Sequence, residues 1–320
     1  MRALRYHGYG SPDMLQMELL PEPTPGPGCA KIRVRAVGLN PIDWKILAGK
    51  LRFLPGFRSP PRGVGLDFAG EIVGIGGGVT ERHVGERVLG SLLPFGREGA
   101  CAEFIVAPYE RLLSLPAELD ELQAAALPMA AGTALQALTD DGRLLRGQWL
   151  LVTGAAGGVG HFAVQIAKDI GAHVIAVCSA RNAEFVRNLG ADEIVDYAKD
   201  DFSLREDRFD VVFDAACASS FGVARRVLTE GGCYINTGGD AEALLTTVAS
   251  AIFTRLTSRQ RAIPLALKNG PAMWRRLLEL VRAGRLRAHI ERVVGLEEVA
   301  DALRDMSTGH ARGKIVVRLA

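Results

Sequence analysis

The chain has 320 residues, 48% hydrophobic and 23% charged, with 38 basic against 36 acidic side chains. That is enough apolar material for one or two packed domains, and it excludes a disordered chain. The near-even charge argues against a dedicated nucleic-acid binder, which carries a concentrated basic excess.

Before about residue 121 the pattern is of short strands and turns. Lys31 to Val37 alternates charged and apolar residues with period two, the mark of a half-buried strand. Gly70 to Val79, Arg87 to Gly90 and Ala102 to Val106 read as further strands of a barrel-like β region. The most apolar stretch, Leu122 to Leu138, is broken by Pro128 and Gly132. It is shorter than the ~20 residues of a spanning helix, so a buried helical segment is expected and no membrane span. From there strands and helices alternate. Strand Leu150 to Thr153 is followed by a glycine-rich turn and a helix from Val159 to Ile170. Next come strand His173 to Cys178, helix Asn182 to Leu189, and strands at Ile194-Val195 and Val211 to Phe213. A helix over Phe221 to Leu228 and a strand over Cys233 to Asn236 follow. Such near-continuous apolar strands between helices predict a doubly wound parallel sheet covered on both faces. The tail predicts helices at Met273 to Ala283 and Leu296 to Met306 and a closing strand at Ile315 to Leu319.

Glycine is abundant, 37 residues in all, against an average near ~7%. The five cysteines, at 29, 101, 178, 217 and 233, show no C-x-x-C spacing. Together with an N-terminus lacking a secretory apolar region, they predict reduced thiols in a cytoplasmic protein.

The turn Gly154-Ala155-Ala156-Gly157-Gly158-Val159-Gly160 reads A-x-G-x-x-G, the dinucleotide fingerprint with Ala155 at the first glycine position. Gly157 lets the backbone approach a pyrophosphate, and Gly160 lets the helix close on the strand. The helix N-terminus offers free N–H groups and a positive dipole to the anion. Ala156, Gly157, Gly158 and Val159 are therefore cofactor-binding candidates. An NAD site places an acidic residue at the end of the next strand. Here that strand ends Cys178-Ser179-Ala180-Arg181. Ser179 and Arg181 suit a 2′-phosphate, which predicts NADP(H).

At this point the chain resembles the zinc-free quinone-oxidoreductase branch of the medium-chain dehydrogenase/reductase superfamily. Within it the likeness is greatest to the chloroplast-envelope homologues and their bacterial relatives. The resemblance spans nearly the whole chain. It rests on Gly38-Leu39-Asn40-Pro41-Ile42-Asp43-Trp44-Lys45, on Gly65 to Val73, on Leu127 to Ala134, and on the Gly157 loop. Gly190-Ala191-Asp192 and Gly309 to Lys314 complete it. It implies a GroES-like β-barrel catalytic domain over 1–121 and 266–320, with a Rossmann domain inserted over 122–265. It also implies an NADPH-dependent reductase of quinones or conjugated carbonyls. Enoyl-thioester reduction and NADPH binding without turnover are the alternatives.

Zinc relatives carry a cysteine and a Gly-His-Glu where this chain has Asn40 and Gly65-Leu66-Asp67, and only Cys101 falls where a structural-zinc loop holds four cysteines. No metal is expected, since three converging N, S or O ligands are needed. By resemblance Asn40 lies at the cleft floor, with its amide aimed at a substrate carbonyl or capping a loop, and Lys45 donates to a cofactor ribose hydroxyl, protonates the product, or is simply a solvated lysine. Trp44 and Phe53 line the pocket or simply pack. Thr133, Tyr197, Thr237, Gly238 and Lys314 contact the cofactor, with Thr133 alternatively a helix cap and Lys314 alternatively a surface residue. A segment within Ile252 to Leu267 is expected to form an edge strand pairing across a two-fold axis in a homodimer.

Overall fold

The computed structural model describes residues 1–53, 56–237, 241–309 and 311–320. They form two compact units. One comprises Met1–Met129, Asn269–Leu278 and Ile290–Ala320, and the other Ala130–Lys268 and Glu279–His289.

The first unit is built on a seven-stranded sheet. Its order is Ile290–Val294, Lys314–Arg318, Cys29–Gly38, Asp67–Ile75, Arg87–Ser91 and Leu112–Ser114, with Phe104–Pro108 also paired to Cys29–Gly38. The period-two pattern of the sequence is realised in Cys29–Gly38, where Ala30, Ile32, Val34 and Ala36 are buried. The C-terminal strand joins the same sheet antiparallel, with Val316 opposite Gly38 and Val317 opposite Val37. Gly38 is required where it stands: a Cβ there would lie 2.0 Å from the Ala125 carbonyl oxygen. An apolar core runs through the described residues of the unit, with Phe68, Ile72, Val299, Leu303 and Val317 fully enclosed.

The second unit is a six-stranded, all-parallel sheet in the order Glu193–Asp196, His173–Cys178, Trp149–Thr153, Phe209–Asp214, Leu228–Asn236, Arg261–Pro264. Numbered along the chain, this is 3-2-1-4-5-6, the doubly wound dinucleotide-binding order. Leu150, Leu151, Val152, Val174, Ala176 and Val212 have no exposure, as strands covered on both faces require. The order reverses between Trp149–Thr153 and Phe209–Asp214. The carboxyl ends of those two strands flank the crevice where such sheets bind ligands.

Two expected elements change. The helix over 221–228 stops at Ala224, because Leu228 already pairs with Phe209 in the parallel ladder. Ile252 to Thr257 is helical, within Ala241–Thr257; the edge strand is the short segment Arg261–Pro264. The apolar 122–138 stretch is helical as expected. It is split by Pro128 into Glu121–Ala125 and Ala130–Leu135, with a looser π turn at Gln136–Asp141. Among the described residues no helix is long and apolar enough to cross a membrane.

Candidate active site

The turn after Trp149–Thr153 is shaped by its glycines. Gly154 has φ +62°, and its carbonyl oxygen accepts the Gly157 N–H at 2.9 Å. A Cβ on Gly160 would lie 2.1 Å from that same oxygen, so the helix Gly160–Ile170 reaches the strand only because this position is glycine. A Cβ on Gly157 would meet only Gly154 O, at 3.3 Å. A side chain at Gly157 would therefore meet a single atom, though tightly, and the glycine leaves that side clear for close approach of a pyrophosphate.

At the end of the neighbouring strand, Ser179 Oγ accepts from Asn182 Nδ2 at 3.3 Å. Arg181 follows on an exposed turn. Tyr197 comes to the same edge, its N–H 3.4 Å from Cys178 O and its side chain 59% exposed. Three of the expected cofactor residues are thus brought together, and the strand His173–Cys178 ends without a carboxylate of its own. Asp192, from the Gly190-Ala191-Asp192 motif, is structural. It accepts Val174 N–H at 2.7 Å and Lys168 Nζ at 2.7 Å, and both contacts hold its carboxyl below the usual range against the opposing effect of burial.

The crevice has a polar floor that the sequence pattern does not reveal. Asp214, at the end of its strand, accepts from Tyr234 Oη at 2.9 Å, Ser219 N at 2.9 Å, Ala218 N at 3.1 Å and Thr153 Oγ1. Asn236 Nδ2 donates to Tyr234 Oη at 2.9 Å. Burial, with Asp214 alongside, drives the Tyr234 phenol upward. Thr237 extends this edge, its Oγ1 3.1 Å from Cys217 Sγ. Cys217 takes φ +54° in the loop that Asp214 holds. Gly238 lies outside the described residues. Thr133 is buried inside the helix Ala130–Leu135 and caps nothing.

In the first unit, Asn40 opens the helix Pro41–Leu47, and its N–H donates to Asp43 Oδ2 at 2.7 Å. Its side chain is fully engaged. Nδ2 donates to Gly38 O at 3.0 Å and Asp67 Oδ2 at 2.9 Å, while Oδ1 accepts from Lys314 Nζ at 2.6 Å. Lys314 also donates to Leu39 O at 2.6 Å, and Met129 N–H donates to Asp67 Oδ2 at 2.9 Å. All four side chains are buried. Burial pushes Asp43 up to about 7 and raises Asp67, and it lowers Lys314 to about 8 against the pull of the two carboxylates.

This arrangement corrects two expectations. The Asn40 amide has both donor hydrogens and its acceptor committed inside the unit, so it is not held out for a substrate carbonyl. Lys314 is neither a surface residue nor aimed at a cofactor phosphate, since its ammonium is buried against Leu39 O and Asn40 Oδ1. Lys45 and Trp44 sit on the helix that Asn40 starts, with the Lys45 ammonium 5.9 Å from the Trp44 ring. Phe53 is 82% exposed and packs under the Arg52 guanidinium, 4.6 Å from its ring centre.

Two family models match. Residues 26–117 match an alcohol dehydrogenase GroES-like domain and residues 189–317 a zinc-binding dehydrogenase. A chloroplast envelope quinone oxidoreductase homolog of Arabidopsis thaliana is 38% identical, over 99% of this chain and 98% of that protein. A chloroplastic NADPH-dependent alkenal/one oxidoreductase of the same plant is 32% identical over 99% of this chain and 79% of its own length. Among solved structures, the quinone oxidoreductase from Coxiella burnetii superposes with a TM-score of 0.89 at 31% identity, covering 100% of this chain and 99% of that one.

A zinc ion implied by the second family model does not fit these residues. Among the described residues no three His, Cys, Asp or Glu side chains gather as a donor set. An ammonium group, Lys314 Nζ, stands 2.6 Å from Asn40 Oδ1. A cation cannot also bind there without displacing it. The fold, the ordered motifs and the near-full-length likeness together show that the chain belongs to the medium-chain dehydrogenase/reductase superfamily, among the quinone-oxidoreductase homologues.

Proposed function

We propose that the protein is a zinc-independent, NADPH-dependent reductase of quinones or α,β-unsaturated carbonyls that works by direct hydride transfer. One observation carries this reading: a tight glycine turn at the switch point of a 3-2-1-4-5-6 sheet, beside an edge that holds Ser179, Arg181 and Tyr197 and no carboxylate from its own strand. The cofactor, when bound, supplies the hydride. The chain supplies position and charge. The N–H groups of Gly158 to Gly160 face the pyrophosphate at a helix N-terminus. Ser179 Oγ and the Arg181 guanidinium bind the 2′-phosphate, and the Asp214 network holds the loop beside Thr237 in place. Without a Lewis acid, a simple alcohol or ketone is a poor substrate, whereas a conjugated electrophile accepts hydride when it is well positioned. Lys45, one turn into its helix, is the proposed proton source for the reduced product. Asn40 acts indirectly, by fixing the start of that helix.

The test is isotopic. With NADPH deuterated at nicotinamide C4, an enone product should carry one deuterium at its β-carbon and none exchanged with solvent. Deuterium lost to water, or turnover only with enoyl thioesters, contradicts this reading.

We also propose a homodimer in a reducing compartment. The outer edge of Arg261–Pro264 is the end of the sheet, and the helix before it exposes Leu245, Ile252 and Phe253. A second copy would cover both the edge and the apolar face. None of the five cysteines is in a disulfide, which accords with reducing surroundings.

A further inference from the structure

Three polar side chains lie four residues apart along one stripe of helix Gly160–Ile170: His161, Gln165 and Asp169. Each grips a different point of the strap 285–289. His289 N–H donates to His161 Nε2 at 3.2 Å. Gln165 clasps the Arg287 backbone twice, accepting its N–H at 3.0 Å and donating to its carbonyl at 3.1 Å. Arg285 Nη1 pairs with both Asp169 oxygens, at 3.0 and 3.1 Å. Leu286 and Ala288, between these points, are buried. Four helical residues advance about 6.0 Å and two extended residues about 6.6 Å. Alternate strap residues therefore keep step with a single stripe of the helix, running antiparallel to it.

His161 ties this ladder to the glycine turn. Its ring is fully buried, and Nδ1 lies 2.9 Å from Gly157 O. A backbone N–H can only donate, so the contact from His289 makes Nε2 the bare nitrogen. Nδ1 then carries the proton and donates it to Gly157 O. The same oxygen accepts the His161 N–H at 3.1 Å. A single neutral ring thus fixes the Gly157 peptide plane on one side and holds the strap on the other. After His289 the chain leaves this unit, and Ile290 belongs to the first.

We infer that His161 is a positioning residue that couples occupancy of the glycine turn to the docking of strap 285–289. The inference rests on the reading of Gly154 to Gly160 as the NADPH pyrophosphate site. Rotation of the Gly157 plane is transmitted through the ring to His289 N–H. A ligand that fixes the plane therefore fixes the strap, and by linkage a docked strap favours the ligand.

Amide hydrogen exchange on the full-length protein, with and without NADPH, tests this. In the wild type, saturating NADPH should slow the Arg287 and His289 amides about tenfold. His161→Phe keeps the ring volume and loses both hydrogen bonds. It should raise the dissociation constants of NADPH and NADH by the same factor, about tenfold, because the pyrophosphate is common to both. It should also abolish the response of Arg287 to NADPH. Gln165→Leu should speed Arg287 exchange in both states while His289 still responds. A wild type that binds NADPH with strap amides indifferent to it overturns the inference, as does a folded His161→Phe with unchanged affinity. If His161→Phe does not fold, the wild type and Gln165→Leu still decide it. A wild type that binds no NADPH overturns the cofactor reading itself, and that is seen by titration before any exchange is measured.

Discussion

Asn40 uses one carboxamide to hold Gly38, Asp67 and Lys314, beside the buried carboxyl of Asp43. Burial lifts Asp43 to about 7, against about 3.9 when unfolded. Between those values the folded chain keeps a proton that the unfolded chain releases, so this group's contribution to stability falls as pH rises through the window. Asp43→Asn keeps an acceptor for the Asn40 N–H and removes the titration. Its stability relative to wild type should therefore grow from about pH 4 to pH 7, read from urea midpoints at each pH. A constant difference contradicts the raised value. Lys314 has the opposite limb. Lowered to about 8, it makes stability rise with pH from there toward its unfolded value, about 10.4. At the other site Arg181 carries cofactor choice. Arg181→Ala should raise KM for NADPH about tenfold, one charge-assisted contact's worth, and leave KM for NADH within about twofold. Equal effects on both would remove the 2′-phosphate assignment.

The glycine turn separates binding from folding along one short element. Gly157→Ala adds a methyl that meets one atom, Gly154 O, at 3.3 Å. It should weaken NADPH binding at least about tenfold and lower the apo melting temperature less than Gly160→Ala does. Gly160→Ala forces a methyl to 2.1 Å from Gly154 O and should lower the melting temperature as well. Calorimetry and NADPH titration on both variants check the contrast; equal loss of stability in the two contradicts it. This turn was legible from sequence because fingerprint, strand and helix are contiguous. The Asp214 floor was not, since Thr153, Asp214, Tyr234 and Asn236 come from three different strands and show no local spacing. The helix expected at 221–228 failed for a related reason: a long-range pairing of Leu228 with Phe209 overrode local helical pattern.

Across the whole molecule, strand alternation and the family's ordered motifs were enough to forecast a barrel-like unit and a doubly wound one. The C-terminal strand does return to the sheet of the N-terminal part, with Val316 opposite Gly38. That closure is what places Lys314 on Asn40, a contact between residues 274 positions apart, so no sequence window contains it. The apolar face at Leu245, Ile252 and Phe253 has its consequence at this scale too. Ile252→Glu should convert a dimer to a monomer in sedimentation at micromolar concentration, whereas a wild type already monomeric there contradicts the proposed assembly. The proposed reaction is reduction of conjugated electrophiles by NADPH without zinc. Its most direct test is NADPH oxidation by chelator-treated protein with 1,4-naphthoquinone, short enones and enoyl thioesters, alongside zinc analysis of the same sample. Undiminished turnover of a quinone or enone at substoichiometric zinc is the predicted result. Stoichiometric zinc, with activity lost on chelation and restored by adding it back, would contradict zinc-independent reduction.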